Sequence, residues 1–92
     1  MLLLTYVRPL AAVDALMREH VAWLDEQYAA GRFLVSGRQV PRTGGVIVAR
    51  GDDREEIEAL AATDPFVAGG VATCEVVQFR ASQSAPGIAS LL

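Results

Sequence analysis

The order in which apolar periodicities follow one another leaves this chain little freedom in its fold. Residues 2–7, Leu-Leu-Leu-Thr-Tyr-Val, make a short β-rich run ended by Arg8-Pro9. From about Ala11 to Ala30 the period becomes helical. Val13, Leu16, Met17, His20, Leu24 and Tyr28 share one face, while Arg18, Glu19, Asp25 and Glu26 point away. Gly31 stands where a helix ends in left-handed backbone, which glycine adopts most easily. Two further strands, Phe33–Gly37 and Gly45–Ala49, flank Pro41-Arg42-Thr43-Gly44, the composition of a hairpin turn. Gly51-Asp52-Asp53 closes the hairpin and caps a second helix whose inner face is Ile57, Leu60 and Ala61. Asp53 with Glu56, or Asp52 with Glu55, has the spacing of a capping box, and the helix dipole favours acids there. Asp64-Pro65 breaks this helix, and Val71 to Phe79 is the fourth strand.

The order is therefore βαββαβ, the ferredoxin-like α+β arrangement, with an antiparallel four-stranded sheet. Right-handed crossovers put both helices on one face of that sheet. The nearly all-apolar first strand is expected at the centre, buried on both faces. Half the residues are apolar, 52%, and the mean hydropathy is +0.31. A small monomer hides less than that, so a second copy is expected on the open sheet face, making a homodimer. Residues 1–80 form one domain. The tail, 81–92, carries a Ser/Gln/Pro/Gly stretch and then Ile88 and Leu91-Leu92. It either frays or lies on a partner subunit.

Charge and composition exclude several functions. The net charge of −3 and eight singly spread arginines argue against nucleic-acid binding. With no lysine in the chain, Schiff-base chemistry is ruled out. The single cysteine, Cys74, allows no intrachain disulfide or CxxC pair, and reads as a small buried hydrophobe. One His and one Cys fall short of a metal site. No GxGxxG, P-loop or HExxH occurs, and no metal or cofactor is expected. No apolar run approaches the roughly 20 residues of a membrane span. The first strand lacks the basic start of a signal peptide, so a cytoplasmic protein is expected.

His20, the one histidine, sits within an apolar helical stripe, where a polar ring must find partners. It is either a core residue met by a carbonyl or water, or a general acid/base suited to neutral pH. Asp64 reads as an N-cap ahead of Pro65, and equally as the carboxylate that orients His20; a carboxylate has lone pairs enough for both. Ser36, at the end of the second strand, is a nucleophile or ligand donor if a base lies within reach, and otherwise a strand-end residue beside Gly37. Without a GxSxG elbow the hydrolase signal is weak. Arg38 is a surface cation or neutralises an anionic ligand. Trp23, Tyr28 and Tyr6 read as core or interface aromatics.

Three segments together resemble the YCII-related (YciI-like) family from Met1 to about Phe79. They are His20-Val21-Ala22-Trp23-Leu24, Gly31-Arg32-Phe33-Leu34-Val35-Ser36-Gly37, and Asp64-Pro65-Phe66-Val67-Ala68-Gly69-Gly70-Val71. Gly44-Gly45 ahead of a strand belongs to the same pattern. The resemblance implies a subunit that pairs into a dimeric α+β barrel, with a His-Asp dyad at His20 and Asp64 and Ser36 beside it. Muconolactone isomerases, small monooxygenases and a chlorohydroxyquinol dechlorinase share that superfamily, which suggests aromatic-compound degradation. Two positions depart from the pattern: Arg38 where a proline often follows Ser-Gly, and Met17 where an arginine often precedes the histidine. No role of that arginine is carried over.

The reading that follows is a cofactor-independent small-molecule enzyme of isomerase, lyase or dehalogenase type. His20, oriented by Asp64, moves a proton on a small anionic or phenolic ligand, with Ser36 as a further catalytic candidate. Arg38, Phe66 and Gly37 are the expected ligand-binding residues. The alternative is a non-catalytic ligand-binding or structural dimer in which the His-Asp pair is only a polar link.

Overall fold

The computed structural model describes all 92 residues. Strands β1 (Leu2–Tyr6), β2 (Phe33–Arg38), β3 (Gly44–Ala49) and β4 (Ala72–Val76) form one antiparallel sheet in the order β2-β3-β1-β4. The β1–β2 connection runs through α1 (Leu10–Ala15) and α2 (Met17–Ala29), and the β3–β4 connection through α3 (Arg54–Ala61) and α4 (Pro65–Ala68). This is the α+β arrangement that the order of periodicities predicts.

Register decides which side chains meet. Leu2 and Leu4 of β1 stand opposite Val76 and Cys74 of β4, and Leu2 also faces Ile47 of β3. Val13, Trp23, Ala61 and Phe66, one from each of the four helices, close over them to form the core. Fully burying a side chain the size of Val, Leu or Phe contributes about 1.5–3 kcal/mol, so this layer supplies most of the stability.

Several details differ from the sequence reading. The first helix is two segments, α1 and α2, bent at Leu16, whose backbone (φ −106°, ψ 4°) leaves the helical region. The bend carries neither Gly nor Pro, so no local signal marks it. β1 is central but not buried on both faces: Leu2 and Leu4 are buried, whereas Leu3 is half-buried and Thr5 exposed. The face opposite the helices, with Leu3, Val46, Val48 and the 58% exposed Val35, is open in the single chain. β4 ends at Val76, three residues short of Phe79. The α3 cap is Asp53, which accepts from the Glu55 amide at 2.9 Å, and Glu56 makes no return bond to complete a box.

Gly31 takes φ +74° just past α2, the left-handed stop its position calls for. The tail ends in one 3₁₀ turn, Ala89–Leu91, tied to the domain where Arg50 Nη1 donates to the Leu91 carbonyl at 3.1 Å. No helix is long and apolar enough to cross a membrane.

Gly44 is required by close approach. A Cβ there would overlap the carbonyl of Leu4 on the neighbouring β1 backbone, which cannot move aside without breaking the ladder. Gly37, by contrast, has open space where a Cβ would go. Gly44→Ala is expected to lower unfolding free energy by at least about 2 kcal/mol, and Gly37→Ala to change it by less than about 1 kcal/mol, in urea denaturation. Equal effects would show that strand spacing, not the glycine, sets this contact.

Candidate active site

Asp64 ends the turn after α3 and begins α4. Pro65 at the first helical position needs no amide partner, and the Asp64 side chain accepts the Phe66 amide at 2.9 Å through Oδ1. The same oxygen lies 2.7 Å from His20 Nδ1 on α2. The cap and the histidine contact therefore coexist on one atom. Oδ2 is buried with no partner, and the residue is 1% exposed.

Oδ1 acts as an acceptor toward the Phe66 amide, and with the ring donating to the same oxygen the proton of the neutral imidazole sits on Nδ1. That leaves Nε2 with its lone pair. It makes no hydrogen bond within the chain and is not fully buried. The ring is held face to face by Phe66, with centroids 3.9 Å apart and planes 7° from parallel. Two neighbours brace the same joint. Trp23 Nε1 donates to Thr63 Oγ1 at 2.9 Å, and Gly69 leaves room for Leu16, where a Cβ would lie 2.5 Å from its Cδ1.

His20 and Phe66 line a cavity of about 290 Å³ between α2, α4 and the sheet. Ser36, Gly37 and Arg38 of β2 line the same cavity, so the structure brings five of the six residues singled out in the sequence to one cavity, with Asp64 behind the histidine. Ser36 has no base beside it. Its hydroxyl shares a 2.6 Å hydrogen bond with the Tyr28 hydroxyl, which leaves it a polar lining group and not an activated nucleophile. Arg38 is exposed at the rim.

Tyr6, Met17, Arg42 and Gly45 are among the lining residues that the sequence did not single out for the site. Gly45 lies opposite Leu4 on the helix side of the sheet, and a Cβ there would touch only the Gly37 carbonyl, at 3.3 Å. Its missing side chain is cavity floor. The Gly44-Gly45 pair was the available signal, since adjacent glycines in a strand mark close approach or open space. Arg42 reads as a turn residue, and nothing local distinguishes it. Cys74 is half-buried on β4; burial first, and the charge of Asp64 second, push its thiol pKa up, so it stays protonated.

A family model described as the YCII-related domain matches residues 1–80. No curated protein matches the sequence. Among solved structures, the fold is similar to that of 5-chloro-2-hydroxyhydroquinone dehydrochlorinase from Burkholderia phenoliruptrix AC1100, determined in complex with 2,5-dihydroxybenzoquinone. The TM-score is 0.62 at 20% identity, over 85% of this chain and 94% of that one.

The geometry predicts that neutral His20 is the Nδ1–H tautomer, readable by long-range ¹H–¹⁵N NMR. Asp64→Ala is expected to release the ring to mixed tautomers and to cost about 1–3 kcal/mol, from the lost cap and the lost charged hydrogen bond. Asp64→Asn keeps the cap and is expected to cost less. An Nε2–H tautomer in the unaltered protein would mean that the proton is not shared with Asp64.

Proposed function

The chain belongs to the YCII-related family, and on that premise we propose that it is a cofactor-independent enzyme that moves a proton on a small phenolic or enolic molecule. One observation carries the reading: His20 is tied to a buried carboxylate through Nδ1 while Nε2 stays unpaired in the wall of a cavity. Nε2 takes a proton from a hydroxyl or from a carbon next to a carbonyl. The imidazolium so formed is stabilised by Asp64, which also keeps the ring from turning. Returning the proton at another position gives isomerisation; loss of a leaving group from the resulting anion gives elimination.

The cavity suits such a substrate. Its apolar walls, Leu4, Met17, Ile47 and Phe66, accept a planar ring of modest size, and Arg38, Gly37 and Ser36 supply polar contacts at one side. The similar dehydrochlorinase, by its name, eliminates hydrogen chloride from a chlorinated hydroxyhydroquinone, and its bound dihydroxybenzoquinone is a planar oxygenated ring. That places elimination on an oxygenated ring first among the reactions to test.

We further propose that the protein works as a homodimer, with a second copy over the open sheet face. Leu3, Val35, Val46 and Val48 give that face its apolar character. Val35→Asp is expected to convert the dimer to monomer in light scattering. A monomeric unaltered protein at the same concentration would overturn the dimer.

The activity is tested by chloride release from 5-chloro-2-hydroxyhydroquinone and a panel of related phenols. His20→Ala is expected to lower kcat/KM by about 10²–10⁴-fold while the circular dichroism spectrum is unchanged. Equal turnover by His20→Ala and the unaltered protein on every compound would sink the proton-transfer role. Saturable binding with no turnover at all would make this a binding module.

A further inference from the structure

The chain has eleven acidic residues and eight arginines, yet the cavity wall holds two arginines, Arg38 and Arg42, and no carboxylate. In a protein of net charge −3, that is a local reversal of sign. The two arginines differ in how they are held. Arg38, near the end of β2, donates no side-chain hydrogen bond within the chain and is exposed, so its guanidinium is free to follow solvent. Arg42, in the turn between β2 and β3, is pinned. Its Nη2 donates to Asp14 of α1 in a close ion pair, and its guanidinium carbon lies 6.0 Å from the centre of the Tyr6 ring. The contacts with Asp14 and Tyr6 keep it protonated.

Donors on this pinned group are unmet. Arg42 Nε is buried with no partner, in a side chain that lines a cavity together with Leu4, Tyr6, Ile47 and Phe66. Nε has no accessible surface, whereas Nη1, which donates no hydrogen bond within the chain, keeps some, so Nη1 is the donor that a ligand in the cavity can reach. The acceptor a guanidinium recognises best is an oxyanion, and the bond is strongest where water is excluded.

Resting on the proton-transfer reading above, we propose that Arg42 anchors an oxyanion of the substrate, a carboxylate or phenolate oxygen, with Asp14 as the positioning residue that orients the guanidinium from α1. The substrate then carries a negative oxygen at Arg42 and the proton to be moved at His20, which selects anionic ring compounds over neutral ones of the same shape. Asp14 is half-exposed and does not itself line the cavity, so its effect comes through Arg42.

Binding, read by NMR chemical-shift titration, tests this without turnover. The probes are benzoate, 4-nitrophenolate and neutral benzamide. The unaltered protein is expected to prefer at least one anion over benzamide by about 10- to 100-fold, the worth of a charge-assisted hydrogen bond; the larger ratio names carboxylate or phenolate. Arg42→Gln is expected to bring the ratio near one, Arg42→Lys to keep part of it, and Asp14→Asn to reduce it less than Arg42→Gln does. His20→Ala is expected to keep the full ratio, which separates failure of this anchor from failure of the proton-transfer role. No anion preference in the unaltered protein, full preference in folded Arg42→Gln, or loss of preference in Arg38→Gln in place of Arg42→Gln would overturn the proposal.

Discussion

Asp64 Oδ1 accepts from the Phe66 amide at 2.9 Å and from His20 Nδ1 at 2.7 Å, and through these two bonds it joins the start of α4 to the first turn of α2. Burying a carboxylate is costly unless its charge is met by donors. Here the cost is offset by an amide that any N-cap would take and a histidine that no cap requires. The consequence reaches past the bond itself. Phe66 follows two residues after Asp64, so the cap that fixes the Asp64 side chain also lays the phenyl ring against His20, at 3.9 Å and 7°. A histidine bound at Nδ1 and stacked on one face presents Nε2 in one direction.

Glycines make the space in which this arrangement works. Gly44 lets β3 approach β1, and Gly69 lets the end of α4 accept Leu16 at the bend between α1 and α2. Both draw backbone together. Gly45 has the opposite effect one residue on: it faces the helices, opposite Leu4, where any side chain would occupy the cavity. Neighbouring glycines in one strand thus serve two ends, close pairing with β1 on one side of the sheet and an open floor on the other, because successive residues of a strand point to opposite faces.

Much of the fold was legible in the chain. The runs at 2–7, 33–37 and 45–49 and the helical stripe from Val13 to Tyr28 were readable because periodicity is a local property of successive residues. Gly31 after the first helical stripe was readable for the same reason. The bend at Leu16 was not, since it lies at an ordinary helix-forming residue and arises from how α1 and α2 each reach the core. Nor was the one-sided burial of β1, because an apolar run looks alike whether its second face meets a helix, a partner subunit or water. At the site, Ser36 stands out as a hydroxyl in the right strand, but its partner, Tyr28, lies eight residues away on α2 and reads in the sequence as a core or interface aromatic.

By itself, the sequence determined the types of element, their order, the absence of lysine chemistry and the residues able to take part in proton transfer. It left His20 and Asp64 each with two readings, structural and chemical. Tertiary structure decided that the two meet on one oxygen, that Ser36 pairs with a tyrosine and not with the histidine, and that Arg42 stands in the same cavity wall. The physical reason is distance along the chain. Hydrogen-bond partners 44 residues apart are set by how segments pack and not by the pattern within any of them, and a cavity exists only where several such segments fail to fill the space between them.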